Sequence, residues 1–415
     1  VAVTSPAFAG GVYLFEKSAT DLALGSAGWT ARADDASTIF SNPAGLTRLE
    51  GSRLDASLIP IFLDVKLTPD DEATSVSGTD GDASGLVPAG GAFYSRQLSE
   101  TMTFGFAVGG YFGLAQEYEK NWVGRYYIKD IQMQALTFEP AVGFKLNDQW
   151  SVGVGLAVHY GIFNQTIAVN NQSLLLPGPP LREDGELKLD TTDWTIQGNF
   201  GLLWEGDGKT RIGFQYLTPA KLSFSDVPEF TGLRPALEAA LDAAGLLGTR
   251  LDLGMEMPMA VRVGFHSEIA AGWRLMGDLG WEQWSQFGKV DVLLASEDST
   301  SLTADRQYKD VWHVGLGAQH DLSETWTLSF GAAYDSSIVD DEHRTPDLAL
   351  GSSTRLGIGA ARSMSDSSSL SFAYEAALAG DLPMAVDRGP LAGTVAGVYK
   401  GATIHFLAVT WSKSL

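Results

Sequence analysis

The sequence predicts an all-β chain, a closed antiparallel transmembrane β-barrel of about 14 strands with a small, partly helical N-terminal hatch in its lumen. Three observations carry this prediction. Long segments alternate strictly between apolar and small residues, short polar turns alternate with long irregular connections, and the first 48 residues show neither pattern.

Composition sets the class. Of 415 residues, 45% are hydrophobic and only 19% charged, with 47 glycines, no cysteine and a formal net charge of −22. The negative charge argues against a nucleic-acid partner, which needs clustered Lys and Arg to meet phosphate. Without cysteine there is no disulfide framework and no thiolate metal site. No apolar run approaches the ~18 residues of a membrane-crossing helix, so contact with a bilayer requires a barrel or an interfacial helix.

The alternation is clearest in three places. Thr327 to Tyr334 sets Leu328, Phe330, Ala332 and Tyr334 against Thr327, Ser329, Gly331 and Ala333. Ser151 to Tyr160 and Asp193 to Trp204 repeat the pattern, with Val152, Val154, Leu156, Val158 and Tyr160 on one apolar face and Trp194, Ile196, Phe200 and Leu202 on another. Period two marks strands with one apolar face. The opposite face carries Gly, Ser, Thr and Ala rather than Lys and Glu, as a crowded lumen would need. Apolar faces ending in Tyr or Trp match an interfacial girdle.

Short polar connections fall at 97–100, 146–149, 205–209, 270–272, 321–324 and 364–368, and longer stretches near 67–86, 115–130, 168–186, 225–254, 291–304, 336–350 and 379–398. Short turns at one end and long loops at the other are the asymmetry of an outer-membrane barrel. Both termini then lie at the short-turn, periplasmic end. The barrel spans 49–415 and ends Trp411-Ser412-Lys413-Ser414-Leu415, where such barrels often end in Phe; Trp411 is the residue that could fill that role.

Residues 10–48 are assigned to the hatch. A barrel of this size has a lumen too wide for side chains to fill. Leu14, Leu22, Leu24, Trp29, Ile39 and Phe40 suit a packed plug better than a disordered leader. Residues 1–9, VAVTSPAFA, read as a signal-peptide remnant or an N-terminal extension, since Ala7-Phe8-Ala9 has the small-x-small form of a cleavage site.

Several stretches together resemble the FadL/TodX family of outer-membrane transporters for hydrophobic compounds. They are GVYLFE (11–16), Asp34-Asp35-Ala36 with Asn42-Pro43-Ala44-Gly45-Leu46, YFGLAQEY (111–118) with Trp122-Val123-Gly124-Arg125-Tyr126, EMPMAVRV (256–263), WEQWSQF (281–287) and Tyr308-Lys309-Asp310 with Trp312. The resemblance implies a monomer that captures ligand at an external groove, passes it to an interior pocket and releases it sideways through the wall. It places Asn42, Pro43 and Ala44 in the hatch, facing an inward kink of the third strand (102–115) at Gly113.

A kink leaves backbone groups without partners, and an Asn offers both donor and acceptor. Gly109 and Gly113 would let the hatch approach, although crowding inside a barrel asks for the same glycines. Pro235 to Leu247 forms an amphipathic pattern in an external loop. Its Leu237 and Leu241 would make one wall of the groove, with Leu114, Trp122 and Tyr126 opposite; Phe112 and Trp312 complete the expected ligand contacts.

Lys309 matches a basic position at which fatty-acid members hold a carboxylate. The second such position falls in 164–167 (NQTI), which has no cation. Arg262 and His266, on the inward face of their strand, could supply charge. The expected ligand is therefore a long-chain fatty acid, with a neutral aromatic or aliphatic hydrocarbon as the alternative; detergent could substitute in vitro. Outer-membrane lipid and lipopolysaccharide are the expected surroundings, with paired acids such as Asp70-Asp71 and Asp340-Asp341 available for ion bridging.

No cofactor, metal or catalytic residue is expected. Six histidines lack a G-x-S-x-G elbow, and there is no H-E-x-x-H, P-loop or Rossmann fingerprint. An outer-membrane enzyme or an open porin remains the competing class.

Overall fold

Alternating segments become strands because a residue pair every 2.0 positions lets one face meet lipid and the other the lumen. The computed structural model describes residues 13–172, 183–206, 208–294 and 300–415. The 1–9 segment and the start of the hatch lie outside the described residues.

Fourteen barrel strands are present among the described residues: β1 (Ser52–Asp64), β2 (Gly85–Ser99), β3 (Met102–Glu117), β4 (Asp130–Lys145), β5 (Trp150–Val169), β6 (Gly185–Glu205), β7 (Thr210–Leu217), β8 (Ala260–Ala270), β9 (Trp273–Glu282), β10 (Val311–Asp321), β11 (Trp326–Asp335), β12 (Ser353–Ser365), β13 (Ser368–Asp387) and β14 (Thr394–Ser414). Each pairs antiparallel with its sequence neighbours. The register Arg53↔Ser414 through Asp64↔Thr403 joins β1 to β14 and closes the sheet. Closure removes the unpaired edges that a bilayer could not solvate.

The outward face is the apolar one. Trp194, Ile196, Phe200, Phe330 and Tyr334 are exposed, as are Trp150, Trp273, Trp326 and Trp411 near the short-turn end. The short connections fall at or close to the positions the sequence gives: the one expected at 97–100 lies at 100–101, and Asp207 of 205–209 is outside the described residues.

The long connections are more ordered than expected. Segments 220–226, 251–257, 289–294 and 300–305 extend β7 to β10 and pair as a separate four-stranded sheet. Breaks at Pro219, Pro258 and a short helix, α4 (Trp284–Phe287), detach it from the wall. Proline cannot donate to a ladder. The 379–398 stretch is likewise mostly hairpin, with β13 and β14 joined by 388–393. Leu382 and Met384 are buried between exposed Pro383 and Ala385, an alternation hidden by Gly380 and Pro383, which read as breakers.

The hatch fills the lumen. Ser18 caps α1 (Ala19–Ala23), accepting from the Asp21 N–H at 3.2 Å. α2 (Thr38–Ser41) leads through Asn42 into a 3-10 turn, Pro43–Arg48. Its backbone lies directly on glycines of the wall: a Cβ at Gly331 would stand 1.9 Å from the Leu24 carbonyl, one at Gly213 1.9 Å from the Thr30 oxygen, and one at Gly153 2.2 Å from the Ala44 nitrogen. These glycines therefore serve hatch approach and not merely interior crowding.

Buried charges tie the plug to the wall. Glu16 pairs with Arg355, which also holds Asp335 at 2.8 Å and Glu375 at 3.1 Å. Arg211 donates to the carbonyls of Ala31 and Arg32 at 3.0 and 2.8 Å.

Candidate functional site

The wall is interrupted beside β3. Its ladder to β2 ends at Gly91↔Gly109, whereas β2 stays paired to β1 as far as Gly85↔Leu63. On the other side, β3 meets β4 with a register shift between Gly110 and Phe112 that leaves Tyr111 as a bulge. A bulge bends its strand and unpairs a residue. Between Gly85–Gly90 of β2 and Gly110–Glu117 of β3 there is no ladder.

A cavity of ≈ 440 Å³ occupies this gap. Leu58, Pro88, Leu136 and Ile162 line it toward the outer face, Phe112 and Ala135 along the strands, and Leu14 and Glu16 from the hatch. Leu58 is 62% and Leu136 41% exposed, while Leu14 is 6% exposed. The cavity thus connects lipid-facing side chains with the plug.

The first described residues of the chain lie at the broken edge. Tyr13 forms an antiparallel bridge with Phe112, and the Leu14 N–H donates to the Tyr111 carbonyl at 3.0 Å. Lys17 Nζ donates to the Gly110 carbonyl at 2.5 Å and faces the rings of Phe40 and Tyr111, 5.2 and 5.0 Å from their centroids. Tyr111 in turn donates its hydroxyl to the Phe40 carbonyl at 2.9 Å. Residues 13–17 thus supply backbone or side-chain partners to Gly110, Tyr111 and Phe112 at the kink.

A family profile described as "Outer membrane protein transport protein (OMPP1/FadL/TodX)" matches residues 1–401. The chain belongs to this FadL/TodX family. It is similar to the long-chain fatty acid transport protein of Escherichia coli K12, 23% identical over 373 residues, covering 83% of this chain and 82% of that one. The 47 kDa outer membrane protein of Pasteurella multocida is 24% identical over 388 residues, 86% and 85% of the two chains. Among solved structures, a Pseudomonas aeruginosa FadL homologue superposes with a TM-score of 0.86 at 16% identity, covering 97% and 99%. The toluene transporter TodX of P. putida gives 0.71 at 14% identity, with the same coverage. Both share the fold. The FadL/TodX family consists of transporters rather than enzymes, and an outer-membrane, strand-crossing transporter is what this chain is.

Several residues expected to serve transport in this FadL/TodX member lie elsewhere. Asn42 does not face the β3 kink. Its Nδ2 donates to the Thr30 and Leu202 carbonyls at 2.7 and 3.0 Å, and its Oδ1 accepts from the Ala44 N–H at 3.1 Å. Capping its own turn and gripping β6 uses both donors of the amide and directs its oxygen to Ala44, so the bonds of Asn42 go to the hatch and β6 and not to β3. Pro43 and Ala44 pack beside Gly143 and Gly153 of β4 and β5. The kink centres on Tyr111 and not on Gly113, which is paired again, to Gln134. Gly109 is the last paired residue before the gap, with Phe40 next to it.

Lys309 is not an interior cation. It is 47% exposed and paired with Asp340 above the barrel, because its N–H is held by the Ile338 carbonyl at 2.7 Å and the side chain points outward. Asp341 likewise pairs with Arg344 at 2.7 Å, so these acids already have protein partners. Lys309→Ala is expected to leave oleate affinity unchanged in a competition titration.

Trp312 is 52% exposed on the lipid face, on the outward side of the alternation. The groove is not assembled either. In α3 (Pro235–Ala243) only Leu237 is buried, Leu241 is half-buried and Ala240 and Ala244 are exposed. Trp122 stacks on Tyr118 at 3.9 Å and donates Nε1 to Ile128, while Tyr126 bonds Asp184, so both brace the loop that covers the barrel.

Phe112 and Leu114 are buried, the former at the cavity. Arg262 is buried against Glu282, with its guanidinium 3.9 Å from the Phe15 ring centroid. His266 is buried near the short-turn end with Arg211, Arg274 and Asp34 around a separate polar cavity.

Tyr13, Leu14, Glu16 and Lys17 were the site residues hardest to find. One signal was available: Lys17 is the only lysine before Lys66 and directly follows the apolar run Val12–Phe15 and Glu16.

Proposed function

We propose that this transporter takes up long-chain fatty acids or similar hydrophobic molecules passively across the outer membrane, releasing them sideways through the gap between β2 and β3. The observation that carries the reading is the apolar cavity at the broken ladder, open to the lipid-facing side and closed inward by the hatch. The names of the relatives, long-chain fatty acid transport proteins among them, support the ligand class. Short turns and both termini face the periplasm in this reading, and the closed single-chain barrel acts as a monomer.

A hydrophobic ligand needs such a route because the plugged lumen leaves it no apolar path to the far side, whereas the bilayer offers one. Cells that lack their own fatty-acid porter but carry this protein should take up labelled oleate. Correctly inserted protein without uptake would sink the proposal. A neutral hydrocarbon is the second reading, favoured by the exposure of Lys309, which removes the anticipated interior cation.

A further inference from the structure

We infer that Lys17, on the hatch, is the specificity-determining residue that recognises a carboxylate at the lateral cavity. The inference rests on the uptake reading above and narrows its ligand to an acid.

Lys17 is 4% exposed, yet its ammonium stands in no ion pair among the described residues. Other buried cations of the lumen are paired: Arg32 with Asp21, Arg262 with Glu282, Arg355 with three carboxylates. An ammonium carries three donors. Here one reaches the Gly110 carbonyl, and the rings of Phe40 and Tyr111 cover the rest.

Gly110 itself lines the cavity, so this carbonyl separates the cation from any ligand head that enters. Leu14, Leu58, Phe112 and Leu136 would hold the acyl chain. Glu16, the acid at the same cavity, does not compete for the cation, since Arg355 takes it. A carboxylate could replace the Gly110 carbonyl as the acceptor and supply the missing negative charge, a charge-assisted bond stronger than the one it displaces.

Electrostatics fit this role. Burial lowers the Lys17 ammonium to about 7, opposed by Glu16, Asp21 and Glu139 and reinforced by Arg262. His159 of β5 and Tyr111 of β3 complete its titratable surroundings. The empty site loses its proton as pH rises through about 7, and a bound carboxylate would restore it. Binding of an acid should therefore take up a proton and weaken above neutral pH, while a neutral ligand should be indifferent.

The test compares oleate with oleyl alcohol on purified full-length protein, wild type and Lys17→Met. The loss of a charge-assisted bond should cost oleate about tenfold or more in affinity, with oleyl alcohol unaffected. Equal losses for both ligands would make Lys17 a brace for the hatch and overturn the inference. So would oleate binding by wild type without proton uptake above the Lys17 value of about 7, where the empty site is deprotonated, measured in buffers of different ionisation enthalpy, a readout that needs no variant. If the wild type bound neither ligand, the uptake reading would itself fail, a result distinct from a Lys17 failure.

Discussion

Deletion of Tyr111 is expected to reduce oleate uptake to that of membranes without the protein, while the barrel still inserts and keeps its heat-modifiable mobility. Tyr111 is the unpaired residue between Gly110↔Leu136 and Phe112↔Ala135. Without it the two ladder segments run in one register, β3 straightens, and residues beyond Gly109 come within reach of Gly85–Gly90 of β2, past the point where the ladder between the two strands now stops. Continuous pairing along that seam would exchange the contacts of residues 13–17 for strand-to-strand hydrogen bonds, the arrangement that a lipid-facing wall favours.

Tyr111→Phe is the control. It keeps the bulge and the ring and removes the hydroxyl, with its 2.9 Å bond to the Phe40 carbonyl and its contact with Gln215. Uptake should stay near wild type in this variant. If the deletion transported normally, the gap would not be the exit.

Gly331→Val should act on the plug instead. Its Cβ would have to lie 1.9 Å from the Leu24 carbonyl carbon and oxygen, which are backbone and cannot rotate aside. Overpacking of this kind costs about 1–3 kcal/mol, and the hatch, not the fourteen-stranded wall, is the part able to move. The variant should show a new ion conductance in planar bilayers and a lower temperature for loss of the folded form. A variant as tightly sealed as wild type would mean that the hatch is held elsewhere. A wild type with large, steady conductance would instead revive the open porin.

Most of the barrel was legible because lipid enforces the code. Residues such as Trp194, Ile196 and Phe330 had to face outward, and period-two spacing left only one way to place them. Turn positions followed from the polar tetrads between them. The site was less legible, since it depends on where regular pairing fails. Gly113 looked like the kink because glycine is the residue of special dihedrals, yet the bulge falls on Tyr111, a bulky residue retained by its hydroxyl bond and its contact with Phe40.

Asn42 lies buried between α2 and the 3-10 turn. Its partners could not be read, as a capping amide and a wall-binding amide have the same letter. Lys309 and Lys17 show the same limit in charge. Sequence order put the first near an expected pocket and marked the second only by its isolation from other lysines, since its setting is made by residues 93 and 94 positions away at Gly110 and Tyr111.

The grip between hatch and wall also bears on the order in which the molecule is made. Ala19 donates its N–H to Thr410 of β14 across 391 residues, and Glu16 meets Arg355 across 339. Contacts of such separation form late, after long loops have been closed. The first described residues are thus held by β14, the same strand that closes the sheet against β1. Closing the wall and holding the plug draw on one strand, so a change that loosens β14 is expected to loosen both.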